Sequence, residues 1–336
     1  MDIWHKLKEL KTPIVLYGMG NGGDIMLKEL EKRGIKCDGV FASDDFVRGQ
    51  YFRGYKVMTF LQAKEKFPDL TVLVSFGTQR QEVIKNILSL DAPVFAPEVP
   101  VVGEQVFDYE FATKHAKELE KVYACLADEK SKEVFEQIVR YKLDGDIRRL
   151  IDCQSDKNEM MNLFALTENE NYLDLGAYNG DTVKEFAETV GSWKSITAVE
   201  PDKKNFIKLE RNTADLPNVK CINKVIDSSC GEIMFSSAGG RNSRVGNGEK
   251  RQCISVDSLK EDFTFIKFDV EGQEANAIKG AEKTIAKRPK MLVSAYHRSE
   301  DIFALPLQVL EICPDYKVFL RHQPYIPAWD TNYCFV

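Results

Sequence analysis

The sequence predicts an α/β protein with two doubly wound units joined by helices. Two apolar strands are each followed by a glycine-containing turn and an amphipathic helix, at residues 13–34 and 172–190. Between these units, residues 104–165 carry apolar side chains at helical spacing. Alternating strands and helices are typical of a parallel sheet covered by helices. We therefore expect a small α/β domain at 1–103, a helical linker at 104–165 and a larger α/β domain at 166–336.

The composition is that of a globular protein. The 336 residues are 43% hydrophobic and 29% charged, with a net charge of −6, so a nucleic-acid partner is not favoured. The eight cysteines form no C-x-x-C pair, which favours reduced thiols over a zinc site or a disulfide framework. With no signal peptide and no apolar run of about 18 residues, we expect a cytoplasmic protein without a membrane partner. A homo-oligomer is left open.

The first α/β unit contains a predicted nucleotide turn. After a strand at 13–17, Gly18, Gly20 and Gly23 form G-x-G-x-x-G at the start of a helix, which is the context of a phosphate-binding turn. Asp44 lies at the tip of the next strand, 38–41, where it could hold a ribose. The alternative is a turn kept for packing alone. The remaining predicted elements are an extended segment from 57, a strand at 71–76, and helices at 60–67 and 79–90.

The linker shows two apolar stripes with i, i+4 spacing. One contains Phe107, Phe111 and Leu119, and the other contains Val134 and Ile138. Such stripes are usually buried. A polar segment at 128–131 offers helix N-caps, and a glycine at 145 is the predicted end of the second stripe.

The second α/β unit opens with the most informative motif of the chain. A strand ends at Leu175, and Gly176 and Gly180 form the turn before a helix at 182–190. The next strand, 195–199, ends in Glu200, which lies 24 residues after Gly176. In a βαβ unit such an acid reaches the hydroxyls of a ribose. The alternative is an ordinary strand–helix turn.

The glycine spacing favours one kind of nucleoside ligand. The turn is G-x-x-x-G, with Asp174 before it and Tyr178 and Asp181 within or just after it. Dinucleotide folds use a different spacing and bind a pyrophosphate. Acids on both sides of the turn suit a cationic amino-acid end and no phosphate. We therefore expect S-adenosylmethionine as the cofactor.

Later segments supply the rest of this unit. Asp227, at the end of a predicted third strand, is the candidate partner of the adenine amino group. The other predicted elements are strands at 220–226, 232–235, 252–256, 263–272 and 291–297, a Gly/Ser/Arg loop at 236–248, and a terminal antiparallel pair at 316–322 and 332–336.

Three titratable side chains lie near strand ends and are catalytic candidates. Methyl transfer to a hydroxyl requires alignment of donor and acceptor and removal of a proton. His297 is a candidate general base because its ordinary pKa is near neutral. Asp269 could orient the base or the acceptor, and Glu271 begins the next turn. The alternatives are a packing histidine and a helix N-cap.

Two further sets of residues are weaker candidates. Mg²⁺ could be held by oxygen atoms of Asp269, Glu271 and Asp257, but the spacing does not require a metal. Arg321 and His322, with Arg244, could hold an anionic acceptor, although surface or packing roles are equally compatible with their positions.

Several ordered motifs together resemble the FkbM family of S-adenosylmethionine-dependent methyltransferases. They are Asp174-x-Gly176-Ala-x-x-Gly180, Val199-Glu-Pro-Asp202, Val256-Asp-Ser-Leu259, Ile266-Lys-Phe-Asp-Val-Glu-Gly-Gln-Glu274, Lys279-Gly-Ala281 and Tyr296-His297. The resemblance covers residues from about 165 onwards. It implies a class I methyltransferase fold and methylation of a hydroxyl on a sugar, glycan or natural product. Tyr178 departs from the small or polar residue of many members. The first unit resembles the Rossmann-like domain that precedes sugar acyltransferases.

Two functions are therefore carried forward. The first is an S-adenosylmethionine-dependent O-methyltransferase acting on a small hydroxylated molecule. The alternative is a protein that binds a nucleotide sugar or NAD through its first glycine motif, with a non-catalytic C-terminal module.

Overall fold

A six-stranded sheet organises the first part of the chain. The computed structural model describes residues 2–236, 244–246 and 248–336. The first elements are α1 (Ile3–Glu9), β1 (Ile14–Tyr17), α2 (Asn21–Lys32), β2 (Gly39–Phe41), β3 (Tyr51–Phe52), β4 (Tyr55–Met58), α3 (Phe60–Lys66), β5 (Thr71–Val74), α4 (Gln81–Leu88) and β6 (Val94–Phe95). The strand order is β3-β4-β2-β1-β5-β6, with β3 antiparallel to β4 and the other pairs parallel. Every residue of β1 and β5 is buried, as expected for central parallel strands.

Five helices connect this sheet to the second one. They are α5 (Tyr109–Lys114), α6 (Ala116–Cys125), α7 (Glu129–Asp144), α8 (Ile147–Asp152) and α9 (Lys157–Asn162). The Asp128 carboxylate accepts the Ser131 N–H at the start of α7. Gly145, with φ of 65°, ends α7 in the left-handed conformation. The predicted cap and end of this helix are confirmed.

A seven-stranded sheet organises the C-terminal part. Its elements are β7 (Asn171–Leu175), α10 (Asp181–Val190), β8 (Ser195–Val199), α11 (Lys203–Thr213), β9 (Val219–Ile222), β14 (Phe265–Phe268), α12 (Glu274–Lys279), α13 (Glu282–Ile285), β15 (Lys290–Ser294), α14 (Asp301–Ile312), β16 (Val318–His322) and β17 (Thr331–Phe335), with β10 to β13 between β9 and β14. The order is β16-β17-β15-β14-β7-β8-β9, and β17 runs antiparallel to both neighbours. This is the class I methyltransferase arrangement, so the predicted fold class is confirmed.

The structure corrects the predicted third strand. The segment 220–226 is not one strand, because β9 ends at Ile222 in the main sheet. The chain then joins a separate four-stranded sheet of β10 (Val225–Ile226), β11 (Gly231–Ser236), β12 (Arg244–Val245) and β13 (Glu249–Ile254), in the order β10-β13-β11-β12. Asp227 therefore follows a strand of this smaller sheet. Within the predicted loop 236–248, residues 237–243 and 247 lie outside the described residues.

The predicted strand at 263–272 is also too long. β14 ends at Phe268, and the segment after it turns, with φ of 52° at Glu271 and 88° at Gly272. Glu271 therefore belongs to the turn between β14 and α12.

Of the helices in the described ranges, none is long and apolar enough to cross a membrane.

A buried ion pair ties the segment after β6 to helix α7. Lys142 Nζ donates to Glu98 Oε1 at 2.6 Å, and both side chains are at most 5% exposed. Two charges without water are stabilised only when each has a partner. The pair therefore depends on the fit between the first sheet and the connecting helices.

We expect Lys142→Met to lower the free energy of unfolding by about 3–5 kcal/mol, because it leaves the Glu98 carboxylate buried without a cation. Lys130→Met is the matched control on the same helix, since the Lys130–Glu133 pair is solvent-exposed and exposed pairs contribute about 0–1 kcal/mol. Urea unfolding at neutral pH measures both. Equal losses in the two variants would contradict a structural role for the buried pair.

Candidate active site

A cavity of about 380 Å³ lies at the carboxyl ends of the strands in the C-terminal sheet. This is where ligands bind in open α/β sheets. Glu200 follows β8 and lines one part of the cavity, while Asp269 follows β14 and His297 follows β15. The turn after β7 forms a further wall. The strand ends thus bring side chains from distant parts of the sequence to one space.

The structure divides the predicted site residues into two groups. Those lining the cavity are Gly176, Tyr178, Asp181, Glu200, Asp269, Glu271 and His297. Three others do not line it, namely Asp174, Gly180 and Asp227. Val225 and Ile226, which precede Asp227, do line it. The predicted contact between Asp227 and an adenine therefore stays a prediction. The two apolar residues before Asp227, in contrast, have side chains that line the cavity.

The glycines of the turn are explained by protein packing. Gly176 has φ of 82°, and a Cβ there would lie 1.8 Å from the backbone oxygen of Asp269. Gly180 has φ of 86°, and its Cβ would lie 3.1 Å from side-chain atoms of Leu209 and Thr213. Both positions need glycine. Close approach to a ligand, the reason given by the sequence alone, stays a prediction at Gly176, which lines the cavity.

Glu200 is held by the backbone of the two turns around it. Its Oε2 accepts the Tyr178 N–H at 3.0 Å, and its Oε1 accepts the Asp202 N–H at 2.8 Å. Burial raises the pKa of Glu200 to about 7, although these two backbone donors act in the opposite direction. The Glu200 carboxyl group is thus fixed in position, and its pKa lies near neutral pH.

A buried lysine connects two of the predicted acids. Lys267 on β14 pairs in register with Asp174 on β7. Its Nζ lies 3.5 Å from Asp174 Oδ1 and 3.2 Å from Asp269 Oδ2. Burial opposes ionisation of Asp269, but Lys267 and His297 lower the pKa of this acid to about 2. Asp269 therefore reaches the cavity as a carboxylate.

Asp174 acts from behind the cavity wall. It is fully buried, and its Oδ2 accepts a hydrogen bond from the Thr182 hydroxyl. Burial raises the pKa of Asp174, whereas Lys267 and Thr182 favour its charged form. Thr182 and Lys267 line the cavity in its place. The sequence predicted Asp174 as a site residue. It did not predict that Asp174 lies behind Thr182 and Lys267 and does not itself line the cavity.

His297 is surrounded by carboxylates. Its Nδ1 lies 3.0 Å from Glu274 Oε1, and its Nε2 lies 3.5 Å from Glu271 Oε2 and 3.7 Å from Asp269 Oδ1. Burial favours the neutral ring, but these three acids outweigh it and raise the pKa of His297 to about 10. The ring therefore carries a proton at neutral pH. The ordinary near-neutral pKa on which the general-base hypothesis relied is therefore shifted upwards in this cluster.

Several cavity residues were missed by sequence reasoning. Lys267 had a usable signal, since it is a charged residue inside an otherwise apolar strand. Gln79 and Val101, from the first part of the chain, had none. Tyr325 and Trp329, between β16 and β17, also line the cavity. Their roles depend on how the two sheets meet.

The two sheets meet at the loop after β5. Thr78 and Ile326 exchange backbone hydrogen bonds of 2.7 and 2.9 Å. A Cβ on Gly77 would lie 2.4 Å from Trp329 Cζ3, so the loop packs tightly on this ring. The Val102 N–H also donates to the His297 carbonyl at 3.0 Å. The first unit thus forms part of the wall of the C-terminal cavity.

The glycines of the first motif also have packing explanations. A Cβ on Gly18 would lie 2.6 Å from the Phe76 ring, and one on Gly23 would lie 3.0 Å from the Phe52 ring. Gly20 adopts φ of 85° before α2. Asp44 is exposed in a short 3₁₀ turn after β2. The glycine pattern alone is therefore not a sign of a bound nucleotide.

The remaining candidates are engaged elsewhere. Arg321 Nη2 donates to Asp128 and Glu159 at 2.7 Å each. Burial lowers the pKa of His322 to about 3, which makes it a neutral packing residue. Asp257 accepts the N–H groups of Lys283 and Thr284 and so caps α13. The side chain of Arg244 lies outside the described part. Neither Arg321 nor His322 supports anion binding, and Asp257 is not placed for the predicted metal.

Comparison with known proteins agrees with this architecture. Residues 174–325 match the family described as "Methyltransferase FkbM domain". The methyltransferase FkbM from Methylobacillus flagellatus superposes with a TM-score of 0.75 at 20% identity, over 97% of this chain and 90% of that one. That likeness shows the shared fold, including the first unit. No curated protein matches the chain.

Other solved structures share less of the chain. Aeropyrum pernix fibrillarin in complex with S-adenosylmethionine matches 54% of this chain and 74% of its own, at 16% identity and a TM-score of 0.36. An rRNA methylase from Streptococcus thermophilus matches 54% of this chain and 96% of its own, at 15% identity and a TM-score of 0.34. Methyltransferases of this fold generally use S-adenosylmethionine.

The raised pKa of His297 predicts a pH dependence of stability. A histidine whose folded pKa is raised stabilises the fold fully below its unfolded pKa of about 6.5, and this stability is lost as the pH rises towards about 10. We expect the free energy of unfolding of the native chain to fall between pH 7 and 9 by up to about 1 kcal/mol per pH unit more than in His297→Gln.

Urea unfolding at pH 7, 8 and 9 measures this difference. His322→Gln is the matched control, because the pKa of His322 is lowered to about 3 and its titration lies outside this range. The control should keep the slope of the native chain. Equal slopes in His297→Gln and the native chain would show that the ring is not protonated in the folded state.

Proposed function

We propose that this methyltransferase uses S-adenosylmethionine to methylate a hydroxyl of a sugar, glycan or natural product. One observation carries the proposal: Glu200 and Tyr178 share a single cavity with Asp269, Glu271 and His297. The first pair suits a nucleoside, and the second set suits a hydroxyl and its proton. A donor and an acceptor can therefore meet within one enclosed space.

The residues at the cofactor end fit this ligand. Each oxygen of Glu200 accepts one backbone N–H, and Asn205 adds a side-chain hydrogen bond. A carboxylate has about four acceptor positions, so about one remains for a ribose hydroxyl. Val225 and Ile226 offer apolar surface for a base. When bound, S-adenosylmethionine supplies a sulfonium methyl group that an acceptor oxygen can take in line. Gly176, Tyr178 and Asp181 complete this wall.

The charge of the cavity favours a cationic donor and an uncharged acceptor. Its lining contains the carboxyl groups of Asp181, Glu185, Glu200, Asp269, Glu271 and Asp330 against the lysines 157 and 267 and the protonated His297. Lys157 is itself paired with Glu185 at 2.6 Å. Such an excess of acids attracts a sulfonium and an ammonium and repels phosphate. A neutral sugar hydroxyl therefore suits the site better than a sugar phosphate does.

The catalytic role falls to the cluster after β14 and β15. Asp269 is held as a carboxylate by Lys267 and also accepts the Tyr296 hydroxyl at 3.2 Å. It can accept a hydrogen bond from a substrate hydroxyl and orient it. Glu271 and His297 share the same wall and form the group that receives the hydroxyl proton. Because His297 is protonated at neutral pH, it must lose that proton before it can act as a base.

The alternative function has weaker support. The glycines of the first motif are accounted for by contacts with Phe76 and Phe52. Gln79 and Val101 place the first unit at the wall of the methyltransferase cavity instead. We therefore propose that the first unit, within 1–103, shapes the acceptor site and that no NAD or nucleotide sugar is required.

We expect S-adenosylhomocysteine to bind more weakly as the pH falls through 7. The ribose requires the Glu200 carboxylate, whose pKa is raised to about 7, and below that value affinity should fall by up to about tenfold per pH unit. Calorimetry at pH 5.5 to 8.5 measures this change. Glu200→Gln should bind weakly and without this pH dependence, whereas Glu188→Gln, an exposed change on α10, should behave as the native chain.

We expect His297→Ala to keep its affinity for S-adenosylhomocysteine and to lose turnover by about 10²-fold or more. A screen of neutral sugars, glycans and natural-product alcohols with labelled donor would supply the assay. Incorporation of label into an oxygen of one of these pools is the expected result. Binding of NAD or a UDP-sugar without binding of S-adenosylhomocysteine would contradict the proposal.

A further inference from the structure

Four carboxyl groups lie close to His297 in a region with little access to water. Glu274 and His297 are each 1% exposed, and Asp301 is 2% exposed. Asp269 and Glu271, with side chains 28% and 29% exposed, complete the group, and Lys267 lies 3.2 Å from Asp269. A group of acids of which two are buried favours further positive charge beside the imidazolium.

Some buried atoms of this cluster have no hydrogen bond. Nε2 of His297 and Oε2 of Glu274 are without a hydrogen-bond partner in the residues that the structure describes, and Nδ1 of His297 has only its 3.0 Å contact with Glu274 Oε1. The Nε2 contacts of 3.5 and 3.7 Å are too long for good hydrogen bonds. Glu274 Oε1, in contrast, accepts the Val270 N–H at 2.8 Å, which fixes the carboxyl group in place. The Val270 N–H therefore holds the Glu274 carboxyl group beside the His297 ring.

We propose that Asp269, Glu274 and His297 bind one divalent transition-metal ion, with Glu271 beside it. One ligand atom from each of the three lies within 4.8 Å of the others. Opposite ligands of an ion with bonds of about 2.1 Å are about 4.2 Å apart. Shifts of a few tenths of an ångström would close the group around an ion.

The donor set indicates the class of metal. Carboxylates alone suit Mg²⁺ or Ca²⁺, whereas an imidazole with carboxylates suits Mn²⁺, Fe²⁺ or Zn²⁺. This differs from the magnesium set predicted from the sequence, because Asp257 caps α13 and Glu274 and His297 take its place. Glu274 was not a candidate in that set.

The ion would have a catalytic use if the proposed function is correct. Asp269 and His297 line the cavity, so an ion there would contact the acceptor hydroxyl and lower its pKa. It would also take the place of the proton on the His297 nitrogen that binds it, so His297 would then be a ligand and not the base. The metal site itself does not require the proposed function, so the two can be tested separately.

Titration of the full-length, chelator-treated protein with Mn²⁺, followed by the electron paramagnetic resonance signal of the free ion, tests the proposal. We expect one Mn²⁺ per chain. Asp269→Asn, Glu274→Gln and His297→Gln should each weaken binding by at least about tenfold. Glu282→Gln, an exposed change in the first turn of α13, is the matched control and should bind as the native chain.

Two results would overturn the assignment. One is no binding of Mn²⁺ or Zn²⁺ by the native chain at about 1 mM, and the other is binding that none of the three variants changes. Mg²⁺ binding as tight as Mn²⁺ would exclude a transition-metal site. Calorimetry with S-adenosylhomocysteine, run on every variant, separates loss of metal from loss of the fold. Failure of that binding in the native chain would count against the proposed function and not against the metal site.

Discussion

The active site depends on one buried cation, the ammonium group of Lys267. The register of β7 and β14 places it beside Asp174, and its contact with Asp269 carries the charge to the cavity wall. A buried lysine without such partners would cost several kcal/mol. The strand register, the turn at Gly176 and the ionised state of Asp269 are therefore mutually dependent, since the Asp269 carbonyl also occupies the space beside Gly176.

The two α/β units share one site. Backbone hydrogen bonds between Thr78 and Ile326, and from Val102 to the His297 carbonyl, connect the first unit to the loops after β15 and β16. Loops at the ends of sheets commonly carry function, because a rigid scaffold holds them in position. Here the first unit supplies part of the cavity wall, and the C-terminal unit supplies the strand ends that surround the rest of the cavity. The shape of the cavity thus depends on both units.

Electrostatics organise the cavity into a strongly acidic space. Desolvation raises the pKa of Glu200, while Lys267 lowers that of Asp269, so two carboxyl groups in one cavity titrate far apart. His297 takes a proton because three acids surround it. Functional sites typically contain titratable groups whose pKa values are moved apart by their surroundings. Each of these shifts arises from contacts between different elements.

The sequence by itself determined the fold class and, through Gly176, Tyr178, Asp181 and Glu200, much of one cavity wall. Strand, glycine turn and helix are local patterns, and Glu200 follows Gly176 within a single βαβ unit. The tertiary structure decided the rest. It placed Asp174 behind the wall, moved Asp227 to a separate sheet and surrounded His297 with Glu271 and Glu274. Local spacing reports which face of an element a residue occupies. It does not report which distant side chain lies opposite, because that depends on strand register and on the packing of the turns.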